Sequence, residues 1–300
     1  MKRARVNGAR RAVVFGAGAM LLAGVPLRAA AQRTQRRVIV VGGALAEIVY
    51  ALDAQSNPRG VLVATDTTCT FPAAANALPK VGYQRALSAE GLLSLRPDLI
   101  LASSEAGPPN VISQVKQAGV DVVTFAERHD VDSVREKIAG IARTLDAGDA
   151  GRALQARFDA QWKAARQAVD ASPLATRAQP PRVLFVLNNS GNQAFVAGQH
   201  TAADAMLAYA GARNAMQGFN GYRPLSAEAL VGAAPDIVLT TDEALKAIGG
   251  ADVLLASPGF GATPAGRSKR VASLDTLFML GFGPRLPAAV TTLNQRLTQA

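Results

Sequence analysis

The chain has 300 residues, of which 49% are hydrophobic and 18% are charged, with a formal net charge of +10. This balance supplies a sizeable apolar core for one large or two ordinary domains, and it excludes an intrinsically disordered protein. Cys69 is the only cysteine, so an intrachain disulfide scaffold is excluded as well.

The first 31 residues have the three-part build of a secretory signal peptide. Six of them are basic and none is acidic, an apolar run follows at 12–27, and small residues end the segment at 29–31. Their removal leaves 26 basic against 22 acidic residues, so the high charge no longer favours nucleic-acid binding. No cysteine lies at the cut site to carry a lipid. We therefore expect a soluble periplasmic protein without a lipid anchor.

Short β-branched runs alternate with helical stretches in a first segment, residues 36–145. Strands are predicted at 37–41, 60–64, 98–102 and 121–125, with helices at 88–95, 111–118 and 131–145. Apolar strands separated by helices are typical of parallel βαβ units that are buried on both faces. The segment is predicted to form one α/β lobe.

A long helix is predicted at 149–171, between this lobe and a second one. Leu154, Phe158 and Trp162 fall four residues apart, and Ala165 and Val169 continue the apolar stripe. The βα pattern then restarts near residue 182. The predicted fold class is α/β, with two similar lobes at 36–145 and 181–300 joined by this single helix.

An internal repeat supports the two-lobe prediction. Residues 81–102 read VGYQRALSAEGLLSLRPDLILA and residues 219–240 read FNGYRPLSAEALVGAAPDIVLT. At a fixed offset of 138 the identical pairs include Arg85 with Arg223, Ser88 with Ser226, Glu90 with Glu228 and Asp98 with Asp236. Only the tyrosine slips by one position, Tyr83 against Tyr222. Each serine is predicted to cap a helix whose first turn carries the glutamate.

Two βα lobes joined by one long helix behind an export signal resemble the periplasmic substrate-binding proteins of metal-chelate ABC importers. The segment 81–91, VGYQRALSAEG, ending in Pro97 and Asp98, resembles the haem-binding members in particular. The likeness covers essentially the whole mature chain. It implies that haem is the ligand, as one molecule or two stacked ones, and that the partners are the permease subunits of an ABC transporter. It also implies a monomer that is not an enzyme.

Tyr83 is the first candidate for a haem-iron ligand. A phenolate is a hard, anionic ligand that suits ferric haem, but a free phenol has a pKa near 10. Arg85 lies two residues away, where a guanidinium would favour the anion. The alternative is that Tyr83 only packs against the following helix.

His200 is a candidate second ligand, because it lies in a βα loop of the second lobe that should face the shared crevice. It would ligate a second haem or contact a single haem on its distal side; the alternative is a capping or surface histidine. The other histidine, His129, could line the crevice, but we expect it to be a solvated loop residue.

Tyr222 and Arg223 are candidate haem contacts in the second lobe. Arginine is a good bidentate partner for a haem propionate, and the tyrosine could stack on the ring or support the iron site. Alternatively, Arg223 pairs with Glu228.

Glu90 and Glu228 have a different expected role. The resemblance implies that an acidic residue near the tip of each lobe meets basic residues of the permease, and these two glutamates match that position. The alternative role is stabilisation of the helix dipole, which does not exclude docking.

The sequence is also compatible with two other functions. The same fold could carry cobalamin or a ferric siderophore, neither of which needs a protein phenolate on its metal. An exported α/β enzyme would need a nucleophile–base pair or a complete cofactor-binding turn, and the sequence offers neither.

Overall fold

In the part of the chain that the computed structural model describes, residues 35–57, 60–190 and 193–300, the strands form two sheets. The signal peptide predicted at 1–31 lies outside these residues. The strands of the first sheet are β1 (Arg36–Val41), β2 (Ser56–Asn57), β3 (Gly60–Thr65), β4 (Leu99–Ser103) and β5 (Asp121–Phe125). They lie in the order β2-β3-β1-β4-β5, and only the short edge strand β2 is antiparallel to its neighbour.

Helices follow the strands of the first sheet as the βα pattern predicts. They are α1 (Gly43–Ala51), α2 (Ala73–Asn76), α3 (Ala89–Ser94), α4 (Pro109–Gln117) and α5 (Val131–Thr144). Strand β4 is buried along its whole length, which explains why its sequence is apolar without alternation.

The next helix, α6 (Gly148–Asp170), is the long helix of the predicted organisation. Its buried face carries Leu154, Phe158, Ala165 and Val169, while Trp162 is half-buried with its ring edge-on to Tyr209 at 5.0 Å. The apolar stripe therefore packs as its four-residue spacing predicts.

The second sheet differs from the first in having antiparallel pairing among three neighbouring strands, in place of one short antiparallel edge strand. Its strands are β6 (Arg182–Ser190), β7 (Gln193–Ala197), β8 (Arg213–Asn214), β9 (Tyr222–Leu225), β10 (Ile237–Thr241) and β11 (Val271–Leu274). They lie in the order β11-β10-β6-β7-β9, with β8 paired to β6 off this path. Strand β7 is antiparallel to both of its neighbours, β6 and β9, and the remaining pairs are parallel.

The helices of the second half surround that sheet. They are α7 (Ala202–Tyr209), α8 (Ala227–Ala233), α9 (Asp242–Ile248), α10 (Ala251–Ala256), α11 (Pro264–Arg267), α12 (Thr276–Leu280) and α13 (Leu286–Gln299). A 3₁₀ turn, Phe260–Ala262, precedes α11.

The internal repeat is visible in the backbone geometry. Asp98 and Asp236 each accept a hydrogen bond from the first strand of their own sheet, from the Arg37 amide at 2.7 Å and the Arg182 amide at 2.8 Å. Two residues before each aspartate the chain is left-handed, with φ of 47° at Arg96 and 44° at Ala234. The repeated Pro-Asp pair therefore fixes the backbone in the same way at the start of β4 and at the start of β10.

The two halves share packing as well as a connecting helix. Helix α6 packs against α5 on one side and α13 on the other. One cluster of buried apolar side chains runs through Ile138, Phe158 and Phe282, which come from the first half, the linking helix and the second half. The predicted fold class, two βα lobes joined by a long helix, is confirmed.

Candidate functional site

The loops that follow the strands of both sheets meet at one gap between the lobes. A Cβ added to Gly43, directly after β1, would lie 2.5 Å from the Leu277 side chain, which follows β11. Arg285 of the second lobe reaches Glu47 on α1, with Nε 2.9 Å from Oε2. In parallel sheets these strand ends usually carry function, which makes this gap the candidate site.

Tyr83 lies on such a loop with its side chain open to solvent. It is 47% exposed, and the preceding residue, Gly82, has a φ of 102° that suits glycine. The carbonyl of Gly82 accepts a hydrogen bond from Thr67, and the carbonyl of Tyr83 accepts one from Ala86, at 2.9 and 2.8 Å. The backbone is thus fixed on both sides of a phenol that a ligand can reach.

Arg85 forms an ion pair with Glu105, an acidic residue that the sequence did not identify as a candidate. Its Nη2 lies 2.5 Å from Oε2 of Glu105, which comes from the loop after β4. This hydrogen bond raises the pKa of Arg85, with smaller electrostatic contributions from Tyr83 and from Tyr222 of the other lobe. The guanidinium therefore lies at the gap, but its charge is shared with Glu105.

Tyr222 uses its hydroxyl within the second lobe. The hydroxyl is hydrogen-bonded to the Thr201 side chain and to the Ala203 amide at the start of α7, and burial raises its pKa. Its ring lies nearly parallel to that of Phe195, with the centroids 6.4 Å apart. The ring is thus held at the gap, while the hydroxyl makes its hydrogen bonds within the second lobe.

Arg223 leaves β9 on the opposite face from Tyr222, because successive residues of a strand alternate. It is exposed, and its guanidinium carbon lies 3.6 Å from the centroid of the Phe219 ring. Among the described residues no ion pair joins Arg223 to Glu228.

His200 is exposed in the turn before α7. Its backbone is left-handed, with φ of 57°, and its amide donates to Oδ2 of Asp204 at 3.1 Å, while Thr201 caps the helix. Within the described residues its imidazole makes no hydrogen bond. The ring is therefore available to a ligand.

We expected His129 to be a solvated loop residue, and this expectation was wrong. Its ring packs against Phe282 of the second lobe at 5.4 Å, and its Nδ1 is buried without a hydrogen-bond partner in the described structure. Burial lowers its pKa, and the negative charges of Glu127 and Glu105 partly oppose this effect. No local signal reveals this, since the covering residue is 153 positions away in the sequence.

Glu90 and Glu228 lie exposed in the first turns of α3 and α8. Each helix is capped as predicted, since Ser88 accepts from the Gly91 amide at 3.0 Å and Ser226 from the Ala229 amide at 3.2 Å. Hydrogen bonds from its own amide and from Ser226 lower the pKa of Glu228. The two carboxylates thus occupy equivalent places in the repeat.

The described residues contain neither a cluster of metal-binding side chains nor a membrane-spanning helix. No group of three or more histidine, cysteine, aspartate or glutamate residues there could hold a metal ion. Nor is any helix there both long and apolar enough to cross a bilayer. Cys69 is buried and hydrogen-bonded to Asp66.

Residues 38–276 match a protein family that is described as periplasmic binding protein. A curated relative is the uncharacterized ABC transporter substrate-binding lipoprotein YvrC of Bacillus subtilis (strain 168). It is 26% identical over 269 residues, which are 89% of this chain and 81% of the relative.

Two solved structures show the same architecture along nearly their whole length. One is the periplasmic haem-binding protein BhuT in complex with two haems; it is 68% identical with a TM-score of 0.86, and the match covers 88% of this chain and 98% of BhuT. The other is the periplasmic haem-binding protein RhuT from Roseiflexus sp. RS-1 in apo form, which is 37% identical with a TM-score of 0.81 and equal coverage.

Proposed function

Because the chain belongs to the periplasmic binding protein family, we propose that it captures haem between its two lobes and delivers it to an ABC importer. The observation that carries this proposal is the exposed Tyr83 phenol, held by a fixed backbone at the interlobe gap. The similarity to BhuT, which holds two haems, supports the same cargo here.

Tyr83 is the proposed axial ligand of the ferric iron. A phenolate supplies an anionic oxygen to a hard metal ion, and the iron arrives already held by the porphyrin, so no cluster of protein ligands is needed. Arg85 contributes a positive charge beside the phenolate. The reaction at this site is binding and release, with no bond of the porphyrin changed, so we propose no catalytic activity.

The second lobe supplies the remaining proposed contacts. The exposed His200 imidazole ligates a second, stacked haem or contacts a single haem from the distal side. Arg223 pairs with a propionate, for which the open guanidinium is suited. Tyr222 offers its ring face, because its hydroxyl is already bound by Thr201 and Ala203.

Delivery depends on a different surface. We propose that Glu90 and Glu228 meet basic residues of the two permease subunits, so that the repeat presents one carboxylate from each lobe. The protein acts in the periplasm as a monomer, without a lipid anchor, after removal of residues 1–31.

The identity of the cargo and of the iron ligand is tested by titrating the purified protein with hemin and following its Soret and charge-transfer bands. Tyr83→Phe should lose the phenolate charge-transfer band and weaken hemin binding at least tenfold. Tyr50→Phe, which alters a half-buried phenol of α1, should bind like the wild type. Saturable binding of cobalamin or a ferric siderophore in place of hemin, or an unchanged spectrum in Tyr83→Phe, would overturn the proposal.

The same titration tests the role of His200. If two haems stack, the wild type saturates at two equivalents of hemin and His200→Ala saturates at one. A single equivalent in both proteins would restrict His200 to a distal contact or to the surface.

A further inference from the structure

We propose that Arg285 is a positioning residue, whose two-point contact with Glu47 sets the separation of the two walls of the haem site and thereby the affinity for haem. The inference deepens the proposed function and rests on it, because it takes Tyr83 to lie on one wall and His200 on the other. Arg285 and Glu47 lie outside the repeat and outside the proposed contacts with haem.

The first step is the geometry of the pair. Arg285, directly before α13 in the second lobe, places its Nε 2.9 Å from Glu47 Oε2 on α1, and its Nη2 donates to the other carboxylate oxygen, Oε1. The side chain of Glu47 is 3% exposed and that of Arg285 is 28% exposed. Two parallel hydrogen bonds between planar groups fix an angle as well as a distance. The pair therefore specifies one orientation of the second lobe on the first.

The second step is that an aromatic ring from each lobe holds the guanidinium. The Cζ atom of Arg285 lies 3.8 Å from the ring centroid of Phe71 in the first lobe and 5.0 Å from that of Phe278 in the second. An aromatic ring attracts a guanidinium that lies over its face. These two contacts restrict the arginine further, so its position is determined by both lobes.

The third step is that the boundary around the pair is closely packed. A Cβ atom added to Gly43 of the first lobe would lie 2.5 Å from the Leu277 side chain of the second. A Cβ atom added to Gly283 of the second lobe would lie 3.2 Å from Glu47 Oε2. A backbone segment of each lobe thus lies directly against a side chain of the other. Closely packed groups transmit a displacement to their neighbours, so a change in the pair should alter the whole contact.

The fourth step connects the pair to the first wall. Glu47 lies on α1, and the Gly43 amide at the start of this helix donates to Thr68 Oγ1 at 3.1 Å. The preceding amide, that of Thr67, donates to the carbonyl of residue 82 at 2.9 Å, directly before Tyr83. Hydrogen bonds therefore join the helix of the carboxylate to the loop of the proposed iron ligand.

The connection to the second wall runs through packed helices. Helix α13, which follows Arg285, and helix α12 both pack against α7, and His200 lies in the turn before α7. Asn294 Nδ2 on α13 also donates to the carbonyl of Ala210 at the end of α7, at 3.0 Å. The two partners of the pair thus belong to the supports of the two proposed ligands.

The expected consequence of breaking the pair is a wider range of lobe separations. A variant whose walls are correctly spaced for about a tenth of the time binds haem about tenfold more weakly, because the apparent dissociation constant varies inversely with the competent fraction. The spectrum of the bound haem should not change, because Tyr83 still ligates the iron.

The experiment measures the distance between spin labels on the two lobes of the ligand-free protein, and then its affinity for hemin. The labels are attached through Gln114→Cys on α4 and Lys246→Cys on α9, which replace exposed residues, while the natural Cys69 is buried. A narrow distance distribution is expected without further substitutions.

The test variant is Glu47→Gln/Arg285→Met, which leaves no buried charge unpaired and should therefore fold. It should broaden the distance distribution about twofold and weaken hemin binding about tenfold, with an unchanged charge-transfer band. Arg285→Lys keeps the charge without the two-point contact, so its distribution and affinity should be intermediate.

A matched control lies within the second lobe. Arg182 also contacts a carboxylate with two nitrogens, Nη2 at 3.3 Å from Asp236 Oδ1 and Nε at 3.4 Å from Oδ2. The double variant Asp236→Asn/Arg182→Met removes this pair without touching the boundary between the lobes. It should keep the distance distribution and the hemin affinity of the wild type.

The distance and haem measurements can fail separately. An unchanged distribution in Glu47→Gln/Arg285→Met, or a broader one without a loss of affinity, would overturn the inference and leave the proposed function intact. Loss of the charge-transfer band in that variant would also overturn the inference, since the pair would then act on the iron ligand itself. An unchanged spectrum in Tyr83→Phe would overturn the proposed function and with it the effect on haem affinity, while the distances would still decide whether the pair orients the lobes.

Discussion

At the scale of single residues, the two tyrosines of the repeat differ in exposure because the loop after Tyr83 is one residue longer than the loop after Tyr222. Each follows a glycine of positive φ, Gly82 at 102° and Gly221 at 76°. Four residues separate Tyr83 from the cap of its helix, but only three separate Tyr222 from its own. Tyr222 lies in a paired strand, while Tyr83 begins a turn closed by Ala86. The longer loop therefore leaves the first phenol free for a ligand.

The sequence contained part of this site. It pointed to Tyr83 and Arg85 because they lie two residues apart in a repeated segment that resembles haem-binding proteins. It did not point to Glu105, which lies 20 residues beyond Arg85, or to His129, because their roles depend on loops that meet only in the folded chain. A local sequence pattern identifies candidate residues, whereas predicting an ion pair between two loops requires knowing which strands are neighbours in the sheet.

His129 makes the stability of the protein depend on pH. Burial lowers its pKa, so the folded state holds the ring neutral more strongly than the unfolded chain does. The unfolded chain therefore binds more protons, and the stabilising contribution, complete above about pH 6.5, is lost as the pH falls below that value. His129→Asn should lose less unfolding free energy than the wild type between pH 7.5 and 5.5, as urea denaturation would measure.

The other histidine provides the control for this prediction. His200 is exposed and outside the Phe282 contact, so His200→Asn should keep the wild-type pH dependence. If His129→Asn and the wild type lose equal free energy over that interval, burial of this ring does not govern the acid sensitivity.

At the scale of secondary-structure elements, strong sequence patterns predicted strands and helices correctly. They did not predict the direction in which the strands of the second sheet pair. The parallel strands of the first sheet and the helix α6 follow from apolar runs and from four-residue spacing. The hairpin of β6 and β7 was not predicted, because a strand's sequence does not state which neighbour it pairs with or in which direction. That hairpin supports β9 and so places Tyr222 and Arg223.

Ser88 is expected to contribute measurably to stability through α3. Its hydroxyl accepts the hydrogen bond of the Gly91 amide, a group that would otherwise lack a partner at the start of the helix. Ser88→Ala should lower the free energy of unfolding by about 1 kcal/mol. Ser94→Ala removes an exposed hydroxyl from the same helix and should change it by less than about 0.5 kcal/mol. Equal losses in both variants, measured by urea denaturation, would contradict the capping role.

At the scale of the whole molecule, a buried lysine that is ion-paired within the first lobe also bonds to the second lobe. Lys137 on α5 is 1% exposed; its Nζ lies 2.7 Å from Oε2 of Glu127 and 3.4 Å from the carbonyl of Phe282 in the second lobe. Arg285 and the buried Glu47 form a second bridge between the lobes. We expect these contacts, together with α6, to limit any closing motion on ligand binding.

Breaking the first of these pairs should destabilise the protein strongly. Glu127→Gln leaves a buried ammonium without its counter-charge, which costs about 3–5 kcal/mol. The double variant Lys137→Met/Glu127→Gln should recover most of this loss, because it removes the buried charge as well. Asp252→Asn breaks the exposed pair with Lys269 and should cost less than about 1 kcal/mol. A loss in Glu127→Gln as small as that of the control, in the same denaturation assay, would show that water reaches Lys137.

The proposed delivery of haem is the property that requires both lobes at once. Glu90 and Glu228 stand at equivalent positions on α3 and α8, each ordered by a serine cap and each exposed. Charge reversal at either position should leave hemin binding by the purified protein intact, because neither side chain belongs to the proposed haem site. It should weaken docking to the importer about tenfold, since an attraction at one lobe becomes a repulsion.

Haem uptake by proteoliposomes that contain the cognate ABC importer measures this effect. Glu90→Lys and Glu228→Lys should each reduce uptake at limiting binding-protein concentration, the double variant should abolish it, and added salt should weaken wild-type docking. Asp149→Lys reverses an exposed acid in the first turn of α6, outside the repeat, and should transport normally. Because the two glutamates come from different lobes, loss of uptake in both single variants would require one docked complex that touches both. Normal uptake by the double variant would instead mean that the permease recognises another surface.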